Sequence, residues 1–535
     1  MRRDVDRLAG DAFDLLVVGG GIYGSWIAND AALRGLRVAL VERGDWGSGT
    51  SQASSKLIHG GLRYLEYLKF GLVRRALAER RRLVKLAPHR VYPLRFVIPL
   101  YQGDRVGRLR MEAGLWLYDR LAGGGQPVAP HAAFGRPETL ERYGFLTADG
   151  LKCGFSYGDC GTDDARFCLE VVAGAMEAGA ACVNHVEALA LTQDGEGRVT
   201  GAELRDREGG GTFHLRARIT INAAGPWGPR LKGMPDSSAH ICRLVKGVHL
   251  VLPPLPTGDA FLLTARRDGR VFFVIPWYGN TLLGTTDDDY QGDPDRVAVE
   301  AADVEYLLTE ANRALGGARW TVDDVRGAFA GVRTLRDGGE HSATDVTREW
   351  SLEEPAPGLL FPVGGKFTSS RAEAGITVDR ALALLGRPAG PCPTKRRPFA
   401  WRPSGVFEDW LRHAFTVGGE LGLDAETARF CALRHGQRVE RVHGILAHRP
   451  DLARRVANTA PFCRAEVVHA ARSEMARTLD DILRRRVPAA ILARLDARAL
   501  EDAAQLAGAE LGWSAERRAR EVAEVGARYG AGDRA

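Results

Sequence analysis

The spacing of apolar residues changes along the chain. Phe13–Val18 is an unbroken apolar run of strand type that ends in Gly19-Gly20-Gly21-Ile22-Tyr23-Gly24. A helical pattern follows through Ser25–Arg34 and stops at Gly35, a C-terminal cap. Arg37–Val41 is a second strand, closing on Glu42. Strand, tight turn, helix and strand within about 30 residues imply a parallel crossover, the unit of a doubly wound α/β domain. Leu65, Leu68, Leu72, Ala76, Leu83 and Val84 fall at helical spacing with arginines opposite, so Leu62–Pro88 reads as one or two amphipathic helices. An exposed helix is expected around Leu109–Leu121.

Further on, Asp164–Ala178 reads as a helix, Cys182–Leu191 as strands, Asp194–Gly197 as a hairpin turn and Arg218–Asn222 as a strand. Arg243–Thr286 is strand-rich and Ala301–Leu315 helical, while Val325–Leu335 and Leu359–Thr368 read as returns to the first domain. Pro388–Pro403, rich in Pro and Arg, reads as a linker. Beyond it Ala, Leu, Arg and Glu recur at helical spacing to about Tyr529, which predicts a separate all-helical domain with a frayed tail, Gly530–Ala535.

With 535 residues, 45% of them hydrophobic, the chain can bury a large core in two or three packed units. A formal charge of +6 suits an anionic substrate or membrane surface and is far from the balance of a nucleic-acid-binding protein. The eight cysteines include no CxxC pair, so they read as reduced thiols of a cytosolic protein. No metal is expected, because zinc spacing and an EF-hand loop are both missing from the sequence. The charged Met1-Arg2-Arg3-Asp4 start is unlike a signal peptide, and no run of about 18 apolar residues predicts a membrane span. Lying on a membrane remains open.

Gly19-x-Gly21-x-x-Gly24 sits directly after a strand and before a helix, the context a dinucleotide fingerprint requires. Gly19 permits the tight turn, Gly21 the approach of a pyrophosphate and Gly24 close helix–strand packing. The helix N-terminus offers unpaired N–H groups to phosphates, and Glu42 is placed to accept from an adenosine ribose. The fingerprint does not separate NAD from FAD. Thr50, Ser51, Ser54, Ser55 and Lys56, following soon after Glu42, suit the longer cofactor.

Thr50–Glu66 (TSQASSKLIHGGLRYLE) closely resembles the signature of FAD-dependent, quinone-linked glycerol-3-phosphate dehydrogenases. So do Asn222–Trp227 (NAAGPW), Lys246–Val251 (KGVHLV), Phe273–Trp277 (FVIPW), Gly284–Asp287 (GTTD), Gly331–Leu335 (GVRTL), Thr347-Arg348 and Gly364–Thr368 (GGKFT). The order matches over about residues 10–390. Arg434–Glu440, Glu466–Arg486 with its Thr478-Leu479-Asp480-Asp481 core, and Gly512-Trp513-Ser514 extend the match more weakly. The resemblance implies a glutathione-reductase-type FAD-binding domain (10–90, 150–242 and 325–388) interleaved with an α+β substrate domain (91–149 and 243–324). A linker (389–403) and a helical cap (404–535) follow. It also implies oxidation of sn-glycerol 3-phosphate to dihydroxyacetone phosphate, with electrons passing through FAD to a membrane quinone at the cytoplasmic membrane face. A homodimer is a further candidate assembly.

A phosphomonoester dianion calls for two or three cations aimed at its oxygens. By position in the matching motifs these are Arg63, Arg333, Arg348 and Lys366, with Tyr64 and Thr286 (or Thr285) as supporting donors. Lys56, Lys246 and Lys366 are three of only eight lysines, and all three fall inside motifs. His59, before Gly60-Gly61, and His249 are candidate bases, and Arg333 is a candidate stabiliser of the alkoxide. Gly225 and Trp227 are expected near the cofactor, and Gly364, Gly365 and Lys366 at its flavin end. Thr334, Phe367 and Ser369-Ser370 depart from the family pattern and leave a shifted substrate preference open. The competing readings keep the fold but use oxygen as acceptor, act on a 2-hydroxy acid or amino acid, or retain flavin in a dead site.

Overall fold

The computed structural model describes residues 1–235, 238, 241–317, 319–336 and 350–529; Arg348 lies outside the described residues. The first crossover runs through strand Phe13–Val18, helix Ile22–Leu33 and strand Val38–Glu42. All six residues of the first strand are buried, as a parallel strand covered on both faces requires. The sheet order is Ser351–Ala356, Leu359–Val363, Thr212–Asn222, Phe13–Val18, Val38–Glu42, Ala181–Asn184, parallel except at the 351–356 edge. Helix Ile22–Leu33 lies between helices Asp164–Glu177 and Ser370–Leu384, so it is buried nearly all round and carries no polar stripe.

A second, ten-stranded sheet holds Val91–Tyr101, Cys242–Leu252, Ala260–Thr264, Val271–Trp277 and Asn280–Gly284 at its centre. Three strands assigned from the sequence to the first domain belong here, the short Leu57–Ile58 and two longer ones. Leu151–Thr162 pairs antiparallel with Val91–Tyr101 from Val91 opposite Thr162 onward. Gly327–Arg336 pairs with Cys242–Leu252 over ten residue pairs. The expected boundaries at 150 and 325 therefore do not follow the sheets, and the chain rejoins the first sheet at Ser351–Ala356. Helices Phe70–Leu86 and Arg108–Ala122 pack together over this sheet, with Leu77, Leu115 and Tyr118 in one core with Phe96 and Phe155. Arg80 and Arg90, part of the basic amphipathic stretch, are buried against Asp159 and Glu170 and not on its open face.

The C-terminal domain is helical apart from a hairpin, Arg455–Ala457 with Ala460–Cys463, whose strands are too short to show an alternating pattern. Its Leu479, Ile482, Leu483 and Ile491 share a core with Phe96, Phe155 and Ile275 of the second sheet. Buried ion pairs reinforce the domain and its joint. Arg434 Nε donates to Glu466 at 2.8 Å, and Arg166, on helix Asp164–Glu177, donates to both oxygens of Glu474 at 2.5 and 2.8 Å. Burial pushes the Glu466 carboxyl up, but Arg434 and His435 outweigh it and hold it at about 2, from an ordinary 4.5. Against the same burial, Arg166 holds Glu474 well below its ordinary range. Both carboxylates thus stabilise the fold fully above about pH 4.5; the Glu466 contribution is lost as the pH falls toward 2, and that of Glu474 is likewise lost in acid. Acid should loosen this domain first. Near-ultraviolet circular dichroism between pH 5 and pH 2, compared for the parent and Glu466→Gln, should show an acid transition that is blunted in the variant.

Candidate active site

A cavity of 1270 Å³ opens at the carboxyl ends of the first sheet's parallel strands, the position where open α/β sheets bind ligands. Gly19, Glu42, Ala223 and Gly364, each at or just past a strand end, all line it. Helix Ile22–Leu33 approaches its strand so closely that a Cβ on Gly24 would lie 1.9 Å from the Gly19 carbonyl oxygen. Ile22 N, in the first turn, donates to Ser51 Oγ at 2.9 Å. The Glu42 carboxylate accepts from Gly20 N at 2.7 Å and Gly44 N at 2.8 Å. Burial pushes this carboxyl above its ordinary value, against the pull of those two N–H groups. Gly21, Thr50, Ser54, Ser55, Gly225 and Trp227 also line the cavity. Trp227 is held by its Nε1 donating to Asp295 at 3.0 Å, and Arg43 lies over its ring.

Lys56 does not line the cavity. Its ammonium is buried, donating to Asp164 Oδ1 and to the Gln52 carbonyl, both at 2.6 Å. Ser54 N and Oγ donate to the other Asp164 oxygen at 3.1 and 2.7 Å. The expected cofactor ligand is therefore an internal strut of the loop.

At the far end of the cavity the two sheets meet. Leu57 and Ile58 pair with Gly161 and Cys160 at the edge of the second sheet, which delivers His59 to the seam. His59 N donates to Thr368 Oγ1 at 3.1 Å, and its half-buried ring stands edge-on to Phe273. Arg333, on strand Gly327–Arg336, donates to Thr285 Oγ1 at 3.0 Å and Asp287 Oδ1 at 3.1 Å. Lys366 Nζ lies 3.3 Å from the centroid of the Tyr64 ring. Gly364 and Gly365 have φ of 75° and 82°, and a Cβ on Gly365 would lie 1.8 Å from the Tyr23 hydroxyl. His59, Tyr64, Thr285, Arg333 and Lys366 thus line one cavity, with Thr334 and Phe367 beside them.

Three other expected site residues lie elsewhere. Thr286 is buried and accepts from Val248 N at 3.0 Å, so Thr285 is the threonine that faces the cavity. His249 is buried behind the lining, its Nε2 2.9 Å from Ser55 Oγ and its ring stacked on Phe329. Burial, with Arg333 and Lys56 nearby, holds its imidazole well below the ordinary value, so it is neutral at pH 7 and orients Ser55. Arg63 donates to the Tyr67 hydroxyl at 3.3 Å and is outside the lining. Phe273, Arg485 and Asp45 also line the cavity; the FVIPW motif and the Glu466–Arg486 segment are the signals for the first two, and no motif marks Asp45. In the C-terminal domain, Cys431, His435 and Glu466, and His435, His469 and Glu474, bring ligand-type atoms within 4.8 Å of one another. Arg434 and Arg166 already engage those carboxylates, as in a buried ion-pair network.

Residues 14–364 match the family model described as FAD dependent oxidoreductase, and residues 404–518 that of the C-terminal domain of alpha-glycerophosphate oxidase. A glycerol-3-phosphate dehydrogenase of Synechocystis sp. is 35% identical over 510 residues, covering 92% of this chain and 91% of that protein. The chain belongs to the FAD-dependent glycerol-3-phosphate dehydrogenase family. Glycerol-3-phosphate dehydrogenase 2 of Mycobacterium tuberculosis is 36% identical over 525 residues, covering 98% and 89% of the two chains. The crystal structure of the glycerol-3-phosphate dehydrogenase from Bacillus halodurans, complexed with FAD, is similar with a TM-score of 0.79 and 28% identity, over 98% and 96% of the two chains. FAD is the cofactor of this dehydrogenase family, and the close-packed Gly24 and the half-buried, cavity-facing Glu42 carboxylate fit it.

Proposed function

We propose that the protein oxidises sn-glycerol 3-phosphate to dihydroxyacetone phosphate and passes the electrons to a quinone. The observation that carries this is the meeting of two cations, Arg333 and Lys366, with Tyr64, Thr285 and His59 beside the Gly364-Gly365 turn. In this reading FAD is held by the Gly19-x-Gly21-x-x-Gly24 turn, Glu42, Thr50, Ser54, Ser55, Gly225, Trp227, Gly364 and Gly365. Bound FAD supplies the two-electron acceptor for hydride from the carbinol carbon. Arg333 and Lys366 bind and orient the phosphate-bearing substrate, with Arg63 and Arg348 as further candidate ligands. His59 takes the hydroxyl proton, and the Arg333 guanidinium stabilises the alkoxide that forms. Anaerobic addition of sn-glycerol 3-phosphate to the flavoprotein should bleach the visible flavin band. A flavin reduced by dithionite but not by this substrate would overturn the assignment. Because the C-terminal domain matches a model described for an oxidase, oxygen is the competing acceptor. Oxygen uptake with and without a quinone analogue decides between them.

Peripheral attachment to the inner face of the cell membrane is part of the same proposal. Among the described residues no helix is long and apolar enough to cross a membrane. Supporting surface attachment, Leu68 is 72% and Leu109 84% exposed, with Tyr67, Phe70 and Trp116 also exposed around the packed helices Phe70–Leu86 and Arg108–Ala122. Arg74, Arg75, Arg108 and Arg110 are exposed beside them, and such a mixture suits an anionic bilayer surface. Leu68→Glu with Leu109→Glu should weaken flotation with anionic liposomes by roughly 10-fold or more while flavin content is unchanged. Undiminished flotation would exclude this face.

A further inference from the structure

Arg484, Arg485 and Arg486 are three consecutive arginines of the C-terminal domain, and all three are buried. Their guanidiniums reach across to the loop that follows Glu42. Arg485 Nε donates to Asp45 Oδ2 at 2.6 Å and Arg486 to Asp45 Oδ1 at 2.9 Å. Arg485 also donates to Gln52 Oε1 at 3.2 Å, and Arg484 to the Gln52 carbonyl at 3.1 Å. The loop is tied in turn to the glycine turn, because Gly47 N donates to the Gly20 carbonyl at 3.0 Å. On the arginine side, Arg485 is braced by Asp480 and Asp481 at 2.8 Å each. Asp481 also lies 2.9 Å from His185 Nε2, and His185 N donates to the Gly44 carbonyl at 2.8 Å. Asp45, Gln52, His185, Asp481 and Arg485 all line the cavity that holds the Gly19–Gly24 turn.

We propose that the Arg484–Arg486 segment is a positioning element of the FAD site, so that docking of the C-terminal domain and binding of FAD are one coupled equilibrium. The inference rests on the placement of FAD given above. Its physical basis is charge. Asp45 is a buried carboxylate beside a pocket for an anionic diphosphate, and a buried charge is tolerated only when it is paired. Every guanidinium that pairs with it comes from residues 484–486 among the described contacts. Without them Asp45 keeps one neutral partner, the Asn184 amide that donates to its Oδ1 at 3.0 Å, and its charge is left uncompensated, which loosens the loop that carries Trp46 and Gly47 against Gly20. Coupling is reciprocal, so FAD must also stabilise the docked arginine segment.

Two measurements test this. In the unmodified full chain, hydrogen exchange is followed in the FAD-free and FAD-reconstituted protein. Residues 478–487 should become slower-exchanging with FAD together with residues 44–56, while the helix Val439–His448 stays unchanged. Second, FAD affinity is measured by flavin fluorescence in Arg485→Gln, with Arg434→Lys as a control for a buried ion pair weakened elsewhere in the same domain. Arg485→Gln should raise the FAD dissociation constant by roughly 10-fold or more. Arg434→Lys should lower thermal stability and leave that constant within about 2-fold. Unchanged exchange at 478–487, or a folded Arg485→Gln protein that binds FAD like the parent, overturns the proposal. If the variant does not fold, the exchange measurement alone decides. Neither experiment contains the alcohol substrate, so both are independent of which substrate is oxidised.

Discussion

Arg333→Leu should slow substrate-driven flavin reduction by roughly 10²- to 10³-fold and leave FAD bound. The residue is well placed for an electrostatic role. Its strand is fixed by ten residue pairs with Cys242–Leu252, Arg333 itself opposite Val245. Its guanidinium is aimed by Asp287 and Thr285, at 3.1 and 3.0 Å, into the cavity end that His59 and Lys366 share. A donor held in that way needs no reorganisation when negative charge develops on the substrate oxygen, which is the condition under which such groups have their largest effect. Arg333→Lys keeps the charge but loses the planar fork, so its rate should fall between parent and leucine variant. Stopped-flow reduction against substrate concentration separates the two roles given to Arg333. A pure phosphate ligand raises the half-saturating concentration alone, whereas an alkoxide stabiliser lowers the limiting rate. A leucine variant reduced as fast as the parent at all concentrations would remove Arg333 from the mechanism.

What the sequence reveals about this protein is local, and what it hides is long-range. The first strand, its glycine turn and Glu42 are legible because strand burial and close helix packing dictate residue type within one crossover. His59, Tyr64 and Lys366 are legible because they sit in glycine-bounded motifs, although which of them meet is set by the pairing of Leu57–Ile58 with Gly161 and Cys160. Sheet membership of Leu151–Thr162 and Gly327–Arg336 is hidden, since an antiparallel partner tens of residues away leaves no mark on a strand's own pattern. Thr285 and Thr286 are neighbours, and long-range hydrogen bonds, from Val248 N to Thr286 and from Arg333 to Thr285, set one inward and the other to the cavity. Arg63 shares its motif with Tyr64, yet its guanidinium goes to Tyr67. The arginines at 484–486 fall at the end of a cap-like segment whose own pattern names no partner, and only their meeting with Asp45, some 440 residues earlier, shows what they hold.

Lys56 puts that contrast to its sharpest test. A lysine in a serine-rich motif after the nucleotide fingerprint reads as a cofactor ligand, and a ligand could be removed at little expense to the empty fold. In the structure its ammonium is buried between Asp164 and the Gln52 carbonyl, with the Trp277 and Phe329 rings about 5 Å away. Asp164 in turn fastens Ser54 through two hydrogen bonds. Taking away one partner of such a pair leaves a charge in a site that cannot hydrate it, a loss on the order of 3–5 kcal/mol. Lys56→Met should therefore destabilise the FAD-free protein by that amount, read as a lowered midpoint of thermal unfolding. Asp164→Asn should do likewise, because the buried Lys56 ammonium then meets neutral acceptors only, with no carboxylate to balance its charge. The pair should be strongly non-additive, the double variant being less destabilised than the sum of the singles. An FAD-free Lys56→Met protein as stable as the parent, but with weakened FAD binding, would restore the ligand role and show that the strut does not hold the loop.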